Sequence, residues 1–127
     1  MLVDDDYDAL FTFKYVLESY NYEVDGFTDP ILALKTFSGG LYDLIVIDIR
    51  MLTISGFELY KLLKRMDAEA NICFITAGEI QYEGCHDMSC EIDSYRFLRK
   101  PISNAELLDY SAAMIKNSQK LGNFCVN

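Results

Sequence analysis

Four apolar runs in this chain each end on a side chain able to do chemistry. Met1-Leu2-Val3 runs into Asp4-Asp5-Asp6, and Leu44-Ile45-Val46-Ile47 closes on Asp48. Ile72-Cys73-Phe74-Ile75 ends at Thr76, and the stretch from Tyr95 to Arg99 ends at Lys100, with Pro101 after it. A carboxylate closing an apolar run is costly to bury unless it faces water, a cation or hydrogen-bond donors. Taken singly, each has a plain reading: an aspartate at a strand end caps a loop, and three acids in a row make a solvated turn or a helix N-terminus. Brought to one edge, Asp4, Asp5 and Asp48 would repel one another, and a hard divalent cation would relieve that repulsion. Mg²⁺ suits such a set, because it takes few carboxylates and keeps its other positions for water, carbonyl and phosphoryl oxygens.

Whether these residues meet depends on the elements that carry them. Leu44 to Ile47 shows no polar alternation and is too short to span a membrane, so it reads as a strand buried on both faces. Such strands belong to parallel sheets covered by helices, where ligands sit beyond the carboxyl ends of the strands. Ahead of it, Leu10, Phe13, Leu17 and Tyr20 recur at helical spacing, with Asn21 as the stop. Tyr22 to Phe27 carries strand formers. Asp29-Pro30 is a specific helix start, and that helix should run to about Phe37, before Gly39-Gly40. Beyond the central strand, Met51 to Gly56 reads as a loop, and Phe57, Tyr60, Leu63 and Met66 as one face of a third helix. Cys73, inside the next strand, is expected to be a buried thiol.

The segment from Ala77 to Ser94, with Gly84 in its middle, predicts a short or irregular fourth helix. Tyr95 to Arg99 should form a fifth strand. Ser103-Asn104-Ala105-Glu106 is a capping box opening a fifth helix that buries Leu107, Tyr110 and Met114. Residues 121–127 carry no assignable pattern. The reading is an α/β fold: a five-stranded parallel sheet in the order 2-1-3-4-5 with helices on both faces, one domain over residues 1–120 and a C-terminal tail over 121–127. In that order the ends bearing Asp4-Asp5, Asp48, Thr76 and Lys100 all lie on one rim.

Composition narrows the function. With 20 acidic against 11 basic side chains the net charge is −9, which leaves no basic surplus for nucleic-acid binding. A hydrophobic share of 51% with 24% charged residues argues for a folded domain rather than disorder. No apolar run reaches membrane-spanning length and no signal peptide precedes the first strand, so a soluble, cytoplasmic protein is expected. The four cysteines have no CxxC spacing, which favours reduced thiols.

Across nearly its whole length the chain resembles the receiver domains of two-component response regulators. Asp4-Asp5 is similar to the family's acidic pair, Asp48-Ile49-Arg50-Met51 to its phosphoacceptor motif, Thr76-Ala77 to its hydroxyl position and Lys100-Pro101 to its lysine and proline. The resemblance implies that Asp5, Asp48 and the Arg50 carbonyl ligate Mg²⁺, with Asp4 acting through water. It implies that Asp48 attacks a phosphohistidine in line and becomes an acyl phosphate, while Mg²⁺, Thr76 and Lys100 take the charge on the phosphoryl oxygens. It also implies a cis Lys100-Pro101 bond and a switch in which Thr76 moves inward and Phe97 fills the vacated space.

The partners implied are a sensor histidine kinase or phosphotransfer protein, and an effector read by the face of the fourth helix, fifth strand and fifth helix. A homodimer formed on phosphorylation is also implied. Residues 79–93, over the switch, are expected to be the most mobile part of the domain outside the termini. The chain departs from the family at Leu52, where proline is usual four residues after the phosphoacceptor. It departs again at Ser55-Gly56, often Asp-Gly, and at Asp93-Ser94, often Gly-Ala.

Two other readings stand beside this one. The first is a receiver-like interaction module that is never phosphorylated, although such modules typically lose an acid, the threonine or the lysine. The second is a metal or redox sensor using Cys85, His86 and Cys90, which lacks a nearby fourth ligand for a structural zinc site. No output domain is legible, so downstream action must run through a partner or through further sequence.

Overall fold

The computed structural model describes residues 1–77 and 92–126, with side chains described as far as Ser118 in the last helix. Five parallel strands form one sheet in the order β2-β1-β3-β4-β5. They are β1 (Leu2–Val3), β2 (Gly26–Phe27), β3 (Ile45–Asp48), β4 (Ile72–Ala77) and β5 (Phe97–Lys100). The helices among the described residues are α1 (Tyr7–Ser19), α2 (Pro30–Thr36), α3 (Gly56–Met66) and α4 (Asn104–Val126). The helix expected between β4 and β5 falls mainly on residues 78–91, outside the described residues. So do the Cys85, His86 and Cys90 cluster and most of the segment expected to be mobile.

The apolar run Ile45-Val46-Ile47 has the consequence the sequence suggests, since all four residues of β3, Asp48 included, are buried. Successive side chains alternate between two cores. Val3, Ile45, Ile47, Ile72 and Phe74 pack against α2 and α3 residues Ala33, Leu59 and Leu63. Leu2, Val46 and Ile75 face the other way, onto Leu10 of α1. Further along that layer Val16 and Leu17 meet Leu107 of α4. A sheet covered on both faces leaves only its strand ends open to ligands.

The helix boundaries follow local chemistry. Asp6 caps α1, accepting from the Asp8 and Ala9 backbone N–H groups. At the other end Asn21 adopts φ 70°, and the Asn21 and Tyr22 N–H groups donate to the Glu18 and Leu17 carbonyls. That pair of bonds is a Schellman closure, with asparagine tolerating the left-handed position. Asp29 caps α2 with Pro30 in the first turn. Ser103 and Glu106 exchange both bonds of the capping box that opens α4, and α4 continues through 121–126, where the sequence offers no pattern.

Four expectations are corrected in detail. β2 is confined to Gly26–Phe27, because the Tyr22 N–H is consumed in closing α1. β5 starts at Phe97 rather than Tyr95, because Ser94–Arg96 form a 3₁₀ turn whose Arg96 N–H donates to the Asp93 carbonyl. Tyr20 is exposed, standing at the cap beyond the last turn of α1, and Val16 is buried in that layer instead. Met66, the terminal residue of α3, is likewise exposed, while Leu59 takes the core position.

Candidate functional site

The sheet order places the four polar strand ends on one rim. β1 lies between β2 and β3, with Val3 in register with Ile47, so Asp4 follows directly beside Asp48. β4 aligns Ile75 with Asp48, and Thr76 stands one step further along. β5 aligns Lys100 with Ala77. The rim is therefore built from residues 4–5, 48, 76 and 100 by sheet register alone, with no loop rearrangement needed to bring them close.

Each of the three consecutive aspartates has a different task. Asp6 is spent on the α1 cap. Asp4 is buried, with one carboxylate oxygen accepting from the Asp6 N–H at 3.0 Å and the other paired with Lys100 Nζ at 3.0 Å. Asp5 is more accessible, and its Oδ2 accepts from the Leu52 backbone N–H at 3.0 Å, across 47 residues of chain. Asp4, Asp5 and Asp48 each offer one oxygen, and the three atoms lie within 4.8 Å of one another.

Asp48 is 8% exposed. Burial, reinforced by the negative charge of Asp4, pushes its carboxyl up from the ordinary 3.8 to about 7, against the pull of Lys100 and the Arg50 backbone N–H. The ionised form is under-compensated by the protein alone. A set of three oxygens holding more negative charge than its donors neutralise fits a hard divalent cation.

The Lys100 ammonium is partly buried, with Asp4 as its direct ion-pair partner and the Phe13 ring 5.9 Å away. The Lys100-Pro101 bond is cis, as the resemblance implies. Thr76 is buried at 2% exposure. On the same sheet face as Thr76, the Phe97 ring stacks on Phe74 at 5.1 Å and lies 6.2 Å from Phe57, so it is packed inward.

The loop after β3 contributes two features that residue-type reasoning does not find. Gly56 donates its N–H to the Ile49 carbonyl at 2.8 Å, and a Cβ there would stand 2.5 Å from the Asp48 carbonyl oxygen and 2.8 Å from Ile49 Cα. Only glycine lets the start of α3 lie this close to the backbone bearing Asp48. The other feature is the Leu52 N–H on Asp5. The loop glycine is visible in the sequence, but a backbone donor carries no residue-type signal.

A family model described as the response regulator receiver domain matches residues 1–112. Among curated proteins, the chain is 31% identical over 120 residues to the nisin biosynthesis regulatory protein NisR of Lactococcus lactis subsp. lactis, covering 94% of this chain and 51% of NisR. It is 30% identical over 113 residues to the phosphoglycerate transport system transcriptional regulatory protein PgtA of Salmonella typhimurium, covering 85% of this chain and 26% of PgtA. The chain thus spans about half or less of the length of these relatives. Among solved structures, the non-phosphorylated HemR receiver domain from Leptospira biflexa matches with a TM-score of 0.77 and 25% identity, over 90% of each chain. A CheY-like receiver domain protein from Methanospirillum hungatei shares the fold, with a TM-score of 0.78 at 20% identity over 94% of each chain.

Proposed function

The chain belongs to the response regulator receiver domains of two-component systems, and we propose that within that family it is a working phosphoacceptor whose nucleophile is Asp48. The observation that carries the reading is the rim itself. A buried carboxylate whose ionisation is opposed by Asp4 stands with two further carboxylate oxygens within 4.8 Å and a lysine on the adjoining acid. A set kept only for packing would not hold three acids in this arrangement, because leaving carboxylates under-neutralised in a buried rim costs stability.

In this reading an Asp48 oxygen attacks the phosphorus of a phosphohistidine in line. The new O–P bond forms as the N–P bond breaks, and the imidazole departs with the electron pair. The Thr76 hydroxyl and the Lys100 ammonium, which shifts part of its pairing away from Asp4, hold the phosphoryl oxygens. Mg²⁺ would be held by Asp5, Asp48 and the Arg50 carbonyl, with Asp4 acting through water, and supplies charge neutralisation at the transferring group. Phosphorylation and its reversal are then catalysed by the domain itself.

The donor is a sensor histidine kinase or a phosphotransfer protein. The output is a switch through Thr76 and Phe97 to an effector, or a second copy of the chain, at the face of β5 and the last helix. Among the described residues no helix is long and apolar enough to cross a membrane, which is consistent with a cytoplasmic site of action.

Beryllofluoride, which mimics the phosphoryl group, tests the reading. It should bind only with Mg²⁺ present, and binding should fall sharply in Asp5→Asn. No Mg²⁺-dependent binding by the wild type would favour the alternative, a receiver-like interaction module that is never phosphorylated.

A further inference from the structure

The bond between the Leu52 backbone and Asp5 lies outside the set of residues assigned to phosphoryl chemistry. Leu52 sits in the loop between β3 and α3, and its side chain is 97% exposed and packs against nothing. Its amide is nonetheless engaged, donating to Asp5 Oδ2 at 3.0 Å. The contact ties the end of β1 to the loop that follows the nucleophile's strand. The loop is itself pinned from its other end, where the Gly56 N–H donates to the Ile49 carbonyl at 2.8 Å and the backbones approach too closely for any Cβ. A donor on so short and anchored a loop has little freedom, so it fixes the carboxylate it binds.

We propose that the Leu52 N–H is a positioning donor for Asp5: it occupies Oδ2 and so presents the other oxygen to the cation shared with Asp48. The inference rests on the Mg²⁺ reading of the rim and adds to it a group that touches only the ligand. Carboxylate ligands held by an outer hydrogen bond bind metal more tightly because their orientation is set before binding. Asp5 is the most accessible of the three acids, and Leu52 is its only hydrogen-bond donor among the described residues. Receiver domains usually carry proline at this position, and proline has no N–H to give. In this chain leucine supplies a donor where that pattern has none, while the exposed side chain does nothing for packing.

Substitution at Leu52 separates the backbone donor from the side chain. Leu52→Ala keeps the N–H and should bind Mg²⁺ within about twofold of wild type, whereas Leu52→Pro should bind about tenfold more weakly, the lower end for losing an outer partner of a metal ligand. Mg²⁺ alone is the probe, followed by titration calorimetry on the whole chain, with far-ultraviolet circular dichroism verifying that each variant is folded. Equal affinity in the proline and alanine variants overturns the inference. Absence of Mg²⁺ binding by the wild type overturns instead the metal reading on which it rests.

Amide exchange gives a second measurement that does not need the proline variant to fold. The Leu52 amide should exchange at least about tenfold faster in Asp5→Ala than in wild type, since its acceptor is gone. Unchanged exchange would show that the bond does not hold the loop in solution and would overturn the proposal.

Discussion

The two ends of the sheet both bury polar groups, but they treat them in opposite ways. At the amino edge Asn71, 7% exposed, spends its amide fully: Nδ2 donates to the Asp43 and Met114 carbonyls, and Oδ1 accepts from Arg96. Arg96 also reaches the Ile72 carbonyl, and the Tyr110 hydroxyl donates to the Tyr95 carbonyl, tying α4 to the turn that precedes β5. At the carboxyl edge three acids cluster and Lys100 pairs directly with Asp4, and the Asp48 carboxyl is pushed up to about 7 because burial and Asp4 disfavour its charge. The amino edge behaves as a structural joint, complete within the protein. The carboxyl edge leaves its negative charge under-compensated by the protein's own groups. Buried polarity alone therefore does not mark a functional site, but buried polarity left under-compensated does.

Truncating the amino-edge joint and removing the Asp48 charge should have opposite signs. Asn71→Ala removes one of the two acceptors of the Arg96 guanidinium and the side-chain donor to two carbonyls, and should cost about 2–4 kcal/mol in urea unfolding. A cost below about 1 kcal/mol would mean that the joint is not what holds α4. Gly56→Ala forces the loop off the Asp48 carbonyl and should cost about 1–3 kcal/mol, lowering phosphorylation as well as stability. If it left both unchanged, the close approach would not matter.

Asp48→Asn, in contrast, should stabilise the metal-free protein near neutral pH by about 1–3 kcal/mol, because it removes an ionisable group whose charged form the fold opposes. The pH dependence follows from the same cause. A carboxyl that titrates near 7 when folded and near 3.8 when unfolded keeps its proton longer in the folded state. Stability of the metal-free wild type should therefore fall as pH rises from about 4 to about 7, and Asp48→Asn should flatten that slope. A slope of the reverse sign, or one unchanged in the variant, would place the strain elsewhere. The smallest effect is expected at Ser111, whose buried hydroxyl has no partner among the described residues. Ser111→Ala should be neutral or stabilising by up to about 1 kcal/mol in the same unfolding assay.

The carboxyl edge was largely legible in the sequence, because strands announce themselves by apolar runs and the residue that ends a run is fixed by counting. Asp4, Asp48, Thr76 and Lys100 meet through register, which follows once the strand order is given. Helix starts were legible for a similar reason: Asp29-Pro30 and the Ser103 to Glu106 box act within a few residues. What could not be read was long-range and carried by backbone. The Leu52 N–H on Asp5 spans 47 residues, and the close approach at Gly56 depends on where α3 begins against β3. Pairing of Lys100 with Asp4 has no signal in the sequence, because the two residues stand 96 positions apart and meet only through the sheet. The amino-edge joint carries no such signal, because Asn71 reads as an ordinary loop residue and Arg96 as one residue of the expected fifth strand until the fold brings them together under α4.

The under-compensated acid, Asp48, should be the one that reacts. Incubation of the whole chain with acetyl phosphate and Mg²⁺, followed by mass-spectrometric location of the modified residue, tests it most directly. An acid-labile phosphoryl group is expected on Asp48, formed only with the divalent ion present and absent from Asp48→Asn. Phosphate forming on Asp48→Asn at the wild-type rate, or on wild type at any residue other than Asp48, would contradict it.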